Sequence, residues 1–251
     1  MYQLLKTIFH TLVPRSLFMR VEGGLRQIIY LIRYRGTQFS CNICHANLRA
    51  FINLSNGERI CPRCGSLPRN RRLWYILTTQ NLLATKNILD FSPSRCLFRK
   101  LKPDKTIKKY LSSDFEDEFL ADNAYDITQI PEPDNAFDTI ICYHILEHIQ
   151  ADAKAMTELY RVLNATGTLL IQTPFDLHAA DIYEDPTIIT PTERLKHFGQ
   201  QDHVRIYTVQ GLTRRLQQAG FTVTEKTYTT LSQIELQYGF SPNETVLFCT
   251  K

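Results

Sequence analysis

The pattern of apolar and polar positions over most of this chain is typical of a parallel sheet covered by helices. From residue 86 onward, apolar runs of strand length alternate with segments of helical periodicity. Amphipathic helices are predicted at 154–163 and 208–219, where apolar residues recur on one face. Strands are predicted at 87–91, 108–112, 124–127, 138–143, 167–173, 221–228 and 245–250. This order predicts an α/β fold with a doubly wound, mostly parallel sheet.

The first 36 residues have a different pattern, in which apolar stripes of helical spacing lie on a basic background. One stripe precedes Pro14, and a second follows it at positions 25–32. Segment 1–36 is therefore predicted to form one or two basic amphipathic helices. We expect the apolar face to pack on the rest of the protein. Peripheral contact with a membrane surface is the alternative.

Two pairs of cysteines follow the N-terminal segment. Cys41 and Cys44 are separated by two residues, as are Cys61 and Cys64, and the Asn56-Gly57 hairpin signal lies between the pairs. Each C-x-x-C turn presents two thiolates to one side, so two turns joined by a hairpin can close a tetrahedron. The spacing predicts a structural Zn²⁺ site in a ribbon at 37–68. Four thiolates leave no open position for chemistry at the metal, and a redox role for the pairs is the disfavoured alternative.

Composition limits the possible classes of protein. The chain has 251 residues and 43% hydrophobic content, enough for a full core. It contains no run of 18 apolar residues, and its N-terminus lacks a signal-peptide pattern, so a cytoplasmic protein is expected. Residues 1–72 hold 12 Lys/Arg against 2 Asp/Glu, whereas 73–251 hold 17 against 23. The basic front suits an anionic partner such as a membrane surface, a phosphorylated glycan or nucleic acid; a solvated basic face is the alternative.

Carboxylates follow the second and third predicted strands. In a doubly wound sheet, ligands bind beyond the carboxyl ends of the strands. Asp114, after the second strand, is placed to accept two hydrogen bonds from a ribose diol. Asp126, after the third, is placed to accept from an adenine amino group. The pattern therefore predicts a nucleoside site at this edge.

The stretch 137–175, FDTIICYHILEHIQADAKAMTELYRVLNATGTLLIQTPF, resembles the type 11 group of class I S-adenosylmethionine-dependent methyltransferases. The resemblance extends over about 86–251 and is closest to members with an N-terminal zinc ribbon. It implies a seven-stranded Rossmann-like sheet with an antiparallel last strand, and S-adenosylmethionine as cofactor. The predicted segments are a basic helical segment (1–36), a zinc ribbon (37–68), a linker helix (69–84) and the methyltransferase domain (85–251).

The first-strand signature of that family, D-x-G-x-G-x-G, is altered in this chain. After Asp90, the three glycine positions hold Ser92, Ser94 and Cys96. Serine is small, and Pro93 restricts the turn, so we still expect cofactor binding. The predicted cofactor residues are Asp90, Phe91, Ser92, Pro93, Asp114, Asp126, Ile127 and Tyr143.

A histidine-rich motif follows the predicted strand 138–143. His144, Glu147 and His148 form the pattern H-x-x-E-H, which is also found in a class of zinc peptidases. That motif requires a long helix, whereas His144 follows an apolar strand, so the peptidase is disfavoured. In a methyltransferase His144 is predicted to lie near the transferred methyl group and to act as a general base. A hydrogen-bonded loop histidine is the alternative.

A long polar connection at 181–207 follows the predicted strand 167–173. Its length calls for an explanation, since most α/β connections are short. It is predicted to be a lid over the cleft, with a solvated helical insertion as the alternative. Its predicted substrate-binding residues are Arg194, His197, Gln200, His203 and Arg205.

These features predict methyl transfer to an oxygen or nitrogen of an unidentified acceptor. A glycan or another small hydroxylated metabolite is favoured, and nucleic acid is possible because the front is basic. The alternative is a non-catalytic Rossmann-like scaffold whose basic zinc module contacts an anionic partner.

Overall fold

The chain divides into two compact units in a computed structural model that describes residues 15–116 and 119–251, with side chains from Glu22. The first unit extends to Tyr75 and also includes Leu231–Ser241. The second comprises Ile76–Thr230 and Pro242–Lys251. The apolar stripe before Pro14 lies outside the described residues. In the second stripe the side chains of Leu25, Ile28, Leu31 and Ile32 are exposed, so the expected packing of this face on the rest of the described chain is not seen. Among the described residues, no helix has the length and hydropathy needed to span a membrane.

Two short hairpins follow the first helix of the first unit. Its elements are α1 (Arg15–Ile29), a π-helical turn (Tyr30–Tyr34), β1 (Arg35–Ser40), β2 (Asn47–Leu48), β3 (Ile52–Asn53), β4 (Arg59–Ile60) and α2 (Pro68–Thr79). β1 pairs with β2 and β3 with β4, both antiparallel. Gly57 has φ 82°, which confirms the predicted hairpin turn. The predicted helix 69–84 ends earlier, at Thr79, and Asn81 then has a left-handed backbone with φ 53°.

The second unit is built around a six-stranded sheet. Its elements are β5 (Asn87–Phe91), α3 (Arg95–Leu101), β6 (Lys109–Ser113), β7 (Phe137–Tyr143), a 3₁₀ turn (Leu146–His148), α4 (Asp152–Val162), β8 (Leu163–Gln172), β9 (Tyr183–Glu184), α5 (Pro191–Phe198), β10 (Arg205–Ile206), α6 (Val209–Gln218), β11 (Thr222–Tyr228) and β12 (Glu244–Thr250). The order is β11-β12-β8-β7-β5-β6. Strands β6, β5, β7 and β8 are parallel, and β12 is antiparallel to both neighbours. The predicted α/β class and the antiparallel last strand are confirmed.

One predicted strand is absent from the described residues. Residues 124–127 form no strand, and within 15–116 and 119–251 the sheet has six strands instead of seven. Only an isolated bridge joins Ser113 to Asn123. A side chain takes one backbone amide that a ladder would use, because Ser113 Oγ accepts from the Tyr125 amide at 2.7 Å. Just beyond the segment, Asp126 Oδ1 accepts from the Thr128 amide at 2.8 Å.

Apolar faces of the helices cover the sheet. The buried core includes Leu89 of β5, Ile140 of β7, Leu169 of β8 and Leu247 of β12. Met156 and Leu159 of α4 and Leu212 and Leu216 of α6 belong to the same cluster. Their spacing of three or four residues places them on one helical face.

Two buried arginines of α2 bind a late segment of the chain within the first unit. This segment, 231–241, includes the short helix α7 (Gln233–Gln237) and connects β11 to β12. Arg71 donates from Nε to the carbonyl of Tyr238 at 2.7 Å and from Nη2 to that of Gly239 at 2.8 Å. The Arg72 Nη1 lies 2.9 Å from Glu235 Oε1. Neither arginine is available to the anionic partner that the basic front suggests.

Candidate active site and cysteine cluster

The four paired cysteines of the first unit converge on one point. The Sγ atoms of Cys41 and Cys64 are 3.6 Å apart, and those of Cys44 and Cys61 are 3.8 Å apart. A tetrahedron with Zn–S bonds of about 2.3 Å has edges of about 3.8 Å. All four ligand atoms lie within 4.8 Å of one another. The cluster therefore fits a tetrahedral Zn²⁺.

The two C-x-x-C turns have the same backbone shape. The residue after the second cysteine is left-handed in each, with φ 57° at His45 and φ 77° at Gly65. Its amide donates to the carbonyl of the first cysteine, at 2.8 Å for His45 and 3.0 Å for Gly65. Ser66 Oγ lies 3.4 Å from Cys41 Sγ and 3.2 Å from Cys64 Sγ. The repeated turn brings the two thiolates of each pair to the same side.

The parallel strands of the second unit end together at one edge of the sheet. Phe91 at the end of β5 is in register with Ser113 of β6 and with Cys142 of β7. Tyr143, the last residue of β7, is in register with Gln172 of β8. The predicted cofactor residues of β5, β6 and β7 are therefore at or beside this shared edge.

Ser92 has the conformation that glycine usually supplies in the family signature. Its φ is 46°, in the left-handed region that is costly for residues with a Cβ. Its hydroxyl donates to Asp114 Oδ1 at 2.6 Å, and the Phe119 amide donates to Asp114 Oδ2 at 2.8 Å. The serine thus keeps the backbone shape of the loop and adds a hydrogen bond to the predicted ribose-binding carboxylate.

Asp90 is buried within β5 rather than exposed at the edge. Tyr110 donates to its Oδ2 at 2.9 Å. Burial raises the pKa of Asp90 to about 7, and the Tyr110 hydrogen bond opposes that rise. Asp90 is therefore placed to support the loop at Ser92 from within the protein interior.

The predicted adenine-binding residues lie after the Ser113–Asn123 bridge. Asp126 is exposed, and hydrogen bonds from Thr128 lower its pKa. Ile127 is buried in the core. The exposed Asp126 carboxylate can accept a hydrogen bond from an amino group. Its apolar neighbour Ile127 is the predicted contact with a planar base.

His144 follows β7 in a strained conformation. Its φ is 56°, and its amide donates to the carbonyl of Gln172 at 2.8 Å. Its Nδ1 lies 3.3 Å from Glu147 Oε1. Burial is the largest influence on the pKa of Glu147 and raises it, but the hydrogen bond and charge of His144, a backbone hydrogen bond and the charge of His148 together hold the pKa below its usual value. Strained residues at strand ends are common at functional sites, and Ser92 and His144 lie at the ends of neighbouring strands.

A second group of side chains surrounds Glu147. His148 and His203 pack edge to face, with ring centroids 4.7 Å apart. Asp202 Oδ2 lies 3.1 Å from His148 Nδ1. Burial lowers the pKa of His203, as does the neighbouring His148. This places His203, predicted to bind substrate, beside the motif that begins at His144.

The predicted lid is a hairpin that encloses a helix. β9 and β10 pair at its base, and α5 lies between them. A capping box at Thr190 and Glu193 begins α5, and Gly199, with φ 81°, ends it. His197 is exposed and its Nδ1 lies 2.7 Å from the Tyr183 hydroxyl. Arg194 is partly buried on α5, and Gln200 is exposed just after it.

Arg205 has contacts that differ from those expected of a substrate ligand. It is buried, and its Nε lies 2.7 Å from Glu184 Oε2. The guanidinium also donates to the carbonyls of Leu146, Ile149 and Gln150. These bonds use its donors on the protein itself. Arg205 therefore fastens the hairpin to the loop that carries His148.

Sequence reasoning missed several residues that shape the site. Tyr110, Asp202 and the hydroxyl of Ser92 make the contacts described above, but no motif marks them. Glu147 was recognised only as part of the H-x-x-E-H pattern. Its backbone is held by a long-range contact, since the Val204 amide donates to its carbonyl at 2.9 Å.

Comparisons with known proteins agree with this architecture. No curated protein sequence matches the chain. A solved S-adenosylmethionine-dependent methyltransferase from Mesorhizobium loti is 13% identical, with a TM-score of 0.50, and the match covers 71% of this chain and 97% of that one. The YcgJ protein from Bacillus subtilis is 15% identical, also with a TM-score of 0.50, over 72% of this chain and 99% of that one. These similarities show a shared fold.

The family assignment comes from the sequence itself. The model of a family described as a methyltransferase domain matches residues 71–226, more than half of the chain. The match begins in α2 and includes the strand ends at Asp114, Asp126 and His144. The chain therefore belongs to the methyltransferase-domain family, which confirms the class of enzyme that its sequence predicts.

Proposed function

We propose that this protein transfers a methyl group from S-adenosylmethionine to an oxygen or nitrogen of a small acceptor. The observation that carries the proposal is the shared edge of β5, β6 and β7, where Asp114 accepts a hydrogen bond from Ser92 in its strained loop. The cofactor supplies an electrophilic methyl group on a sulfonium. Family membership favours this function over a non-catalytic scaffold.

The residues of this edge fit a nucleoside cofactor. Asp114 is the proposed ligand of the ribose hydroxyls. When the cofactor binds, the Ser92 hydroxyl, now 2.6 Å from Asp114 Oδ1, would either rotate away or keep its hydrogen bond to the same carboxylate. Asp126 is the proposed acceptor for the adenine amino group, with Ile127 against the base. The loop Phe91–Ser92–Pro93, with Tyr143 beside it, is the proposed support for the methionine part.

His144 is the proposed general base. Its Nδ1 is near Glu147, and its Nε2 has no hydrogen-bond partner in the part of the chain that the structure describes. An imidazole oriented by a carboxylate through one nitrogen can take a proton at the other. Arg194, His197 and Gln200 of the hairpin remain the proposed contacts with the acceptor, for which we favour a glycan or another hydroxylated metabolite.

In the first unit we propose a structural Zn²⁺ on Cys41, Cys44, Cys61 and Cys64. The sulfur separations of 3.6 and 3.8 Å support this, as does the repeated turn around each pair. Reduced thiolates also favour a cytoplasmic location. Four sulfur ligands complete the metal's coordination, so the ion would hold structure and take no part in methyl transfer.

Calorimetric titration with S-adenosylmethionine tests the proposed function. Asp114→Ala should weaken binding by about 1–3 kcal/mol, because the ribose hydroxyls lose their acceptor. Asp104→Ala is the matched control: this partly exposed carboxylate, which accepts from the Thr106 amide at 2.9 Å, precedes β6 at the opposite edge of the sheet. If the wild-type protein does not bind S-adenosylmethionine, the non-catalytic scaffold is favoured. If the two variants lose equal affinity, Asp114 is not a specific ligand of the cofactor.

A further inference from the structure

We propose that Glu147, His148 and His203 bind a divalent cation of the first transition row. Their ligand atoms all lie within 4.8 Å of one another. Glu147 and His148 belong to the 3₁₀ turn after β7, whereas His203 comes from the end of the hairpin just before β10. Two segments that are far apart in sequence thus bring three metal-binding side chains together beside His144.

The buried carboxylate of Glu147 is the strongest evidence for a ligand. Glu147 is only 1% exposed to solvent. Apart from the 3.3 Å approach of His144 Nδ1, neither oxygen has a hydrogen-bond partner among the described residues. A buried carboxylate is costly unless hydrogen bonds or a positive charge compensate it. A cation between Glu147 and the two imidazoles supplies that charge.

The surroundings of His148 match those of a metal-binding histidine. The Asp202 carboxylate, 3.1 Å from His148 Nδ1, favours the tautomer with the proton on that nitrogen. The lone pair then lies on Nε2, the state that a metal requires. Such carboxylate–histidine pairs typically orient the ligands of metal sites. Arg205 adds support, because it holds the carbonyls on both sides of His148 in place.

The donor set indicates the kind of ion. Two imidazoles and one carboxylate suit Mn²⁺, Fe²⁺, Co²⁺, Ni²⁺ or Zn²⁺ better than Mg²⁺ or Ca²⁺, which prefer oxygen ligands. Three protein ligands leave positions open. The site is thus distinct from the cysteine cluster, which closes its own coordination with four sulfurs.

A role for the ion rests on the proposed function, whereas binding of the ion does not. An acceptor hydroxyl on an open position would become more acidic. Its proton would pass to His144 Nε2 and its oxygen would attack the methyl carbon. The methyl–sulfur bond would break, and the sulfonium would become a thioether. Such an ion would select acceptors with an oxygen beside the methyl group.

Cobalt binding to the full, zinc-loaded chain tests the proposal. Bound Co²⁺ is measured by equilibrium dialysis with elemental analysis, while zinc is counted in the same samples. The wild-type protein should bind one additional Co²⁺. Its spectrum should show d–d absorption without thiolate-to-cobalt charge transfer, which would appear if Co²⁺ replaced zinc on the cysteines.

Variants then locate the ion. Glu147→Gln keeps the shape of the side chain and should weaken Co²⁺ binding at least tenfold, as should His203→Gln; Asp202→Asn should have a smaller effect. His178→Gln is the matched control, because His178 is exposed in the same unit and should leave binding unchanged. Circular dichroism checks folding, and His148→Gln replaces any variant that does not fold.

Two results would overturn the proposal. One is that the folded wild-type chain takes up no cobalt beyond the cysteine site; the other is that Glu147→Gln and His203→Gln bind as tightly as His178→Gln. Neither measurement uses S-adenosylmethionine. A chain that binds cobalt at Glu147 but no cofactor would refute the proposed function alone, and the converse would refute this site alone.

Discussion

The two units of this protein reach a stable structure by different means. The first relies on directed polar contacts: four cysteines that face one point, and Arg71 and Arg72 buried against carbonyls and a carboxylate. The second relies on a continuous apolar core between the sheet and its helices. A small unit buries a smaller share of its surface than a large one, so metals or specific bonds help to compensate for the entropy of folding. The comparison predicts that single polar changes will damage the first unit more than the second.

Loss of one cysteine should have the largest effect. Cys61→Ser removes one of four thiolates, and structural zinc supplies about 10–16 kcal/mol of apparent folding free energy in small zinc modules. We expect zinc content to fall from one per chain to nearly none. Amide protection measured by hydrogen exchange should disappear from β1–β4 and persist in β5, β7 and β8. Cys96→Ser, outside the cluster, is the control; similar loss of protection in both units would contradict the comparison.

Asp90 offers the next test, because it is a titrating group inside the apolar unit. Its pKa of about 7 in the folded protein lies above the unfolded value of 3.8, so folding favours the protonated form. That stabilisation is complete below about pH 4 and is lost as the pH rises to about 7, at a cost of up to about 4 kcal/mol.

The measurement is the free energy of unfolding in urea from pH 4 to pH 8, for the wild-type protein and Asp90→Asn. The asparagine cannot ionise, so the variant should lack this decline and gain on the wild type as the pH rises. Parallel curves for the two proteins would show that Asp90 titrates normally. The result would show how far one polar group can alter a unit dominated by apolar burial.

Arg71→Met should give a smaller but clear loss, confined to the first unit. The substitution leaves the carbonyls of Tyr238 and Gly239 without their donors and should cost about 3 kcal/mol. Arg69→Met is the control, since Arg69 is partly exposed in a surface pair with Glu58 and should cost less than about 1 kcal/mol. Equal losses in the two variants would show that burial of Arg71 contributes little.

Local sequence signals predicted much of both units. Cysteine spacing predicted the cluster because each C-x-x-C turn is a local structure, and apolar runs predicted β5, β7, β8, β11 and β12. Segment 124–127 was predicted to form a strand but forms none, and the Ser113 side chain takes the Tyr125 amide that a strand partner would use. Local patterns do not report such competition.

The site was less predictable than the fold. The order of strands placed Asp114 and His144 at one edge, since parallel strands end together. The contacts of Arg205 and Asp202 depend on how the hairpin returns to the 3₁₀ turn, which is a long-range event. The charged residues of segment 181–207 suggested that Arg205 binds substrate. In the structure Arg205 instead donates hydrogen bonds to carbonyls of the protein.

The late segment 231–241 has a consequence for biosynthesis. A ribosome makes the chain from its N-terminus, so the cysteines and Arg71 emerge long before Tyr238 and Gly239. The four cysteines of the proposed metal site emerge early, but Arg71 and Arg72 must wait for their partners until nearly the whole chain has been translated. A messenger truncated before codon 231 would yield a chain in which Arg71 and Arg72 lack those partners, and such a product is expected to be a target for cellular proteolysis.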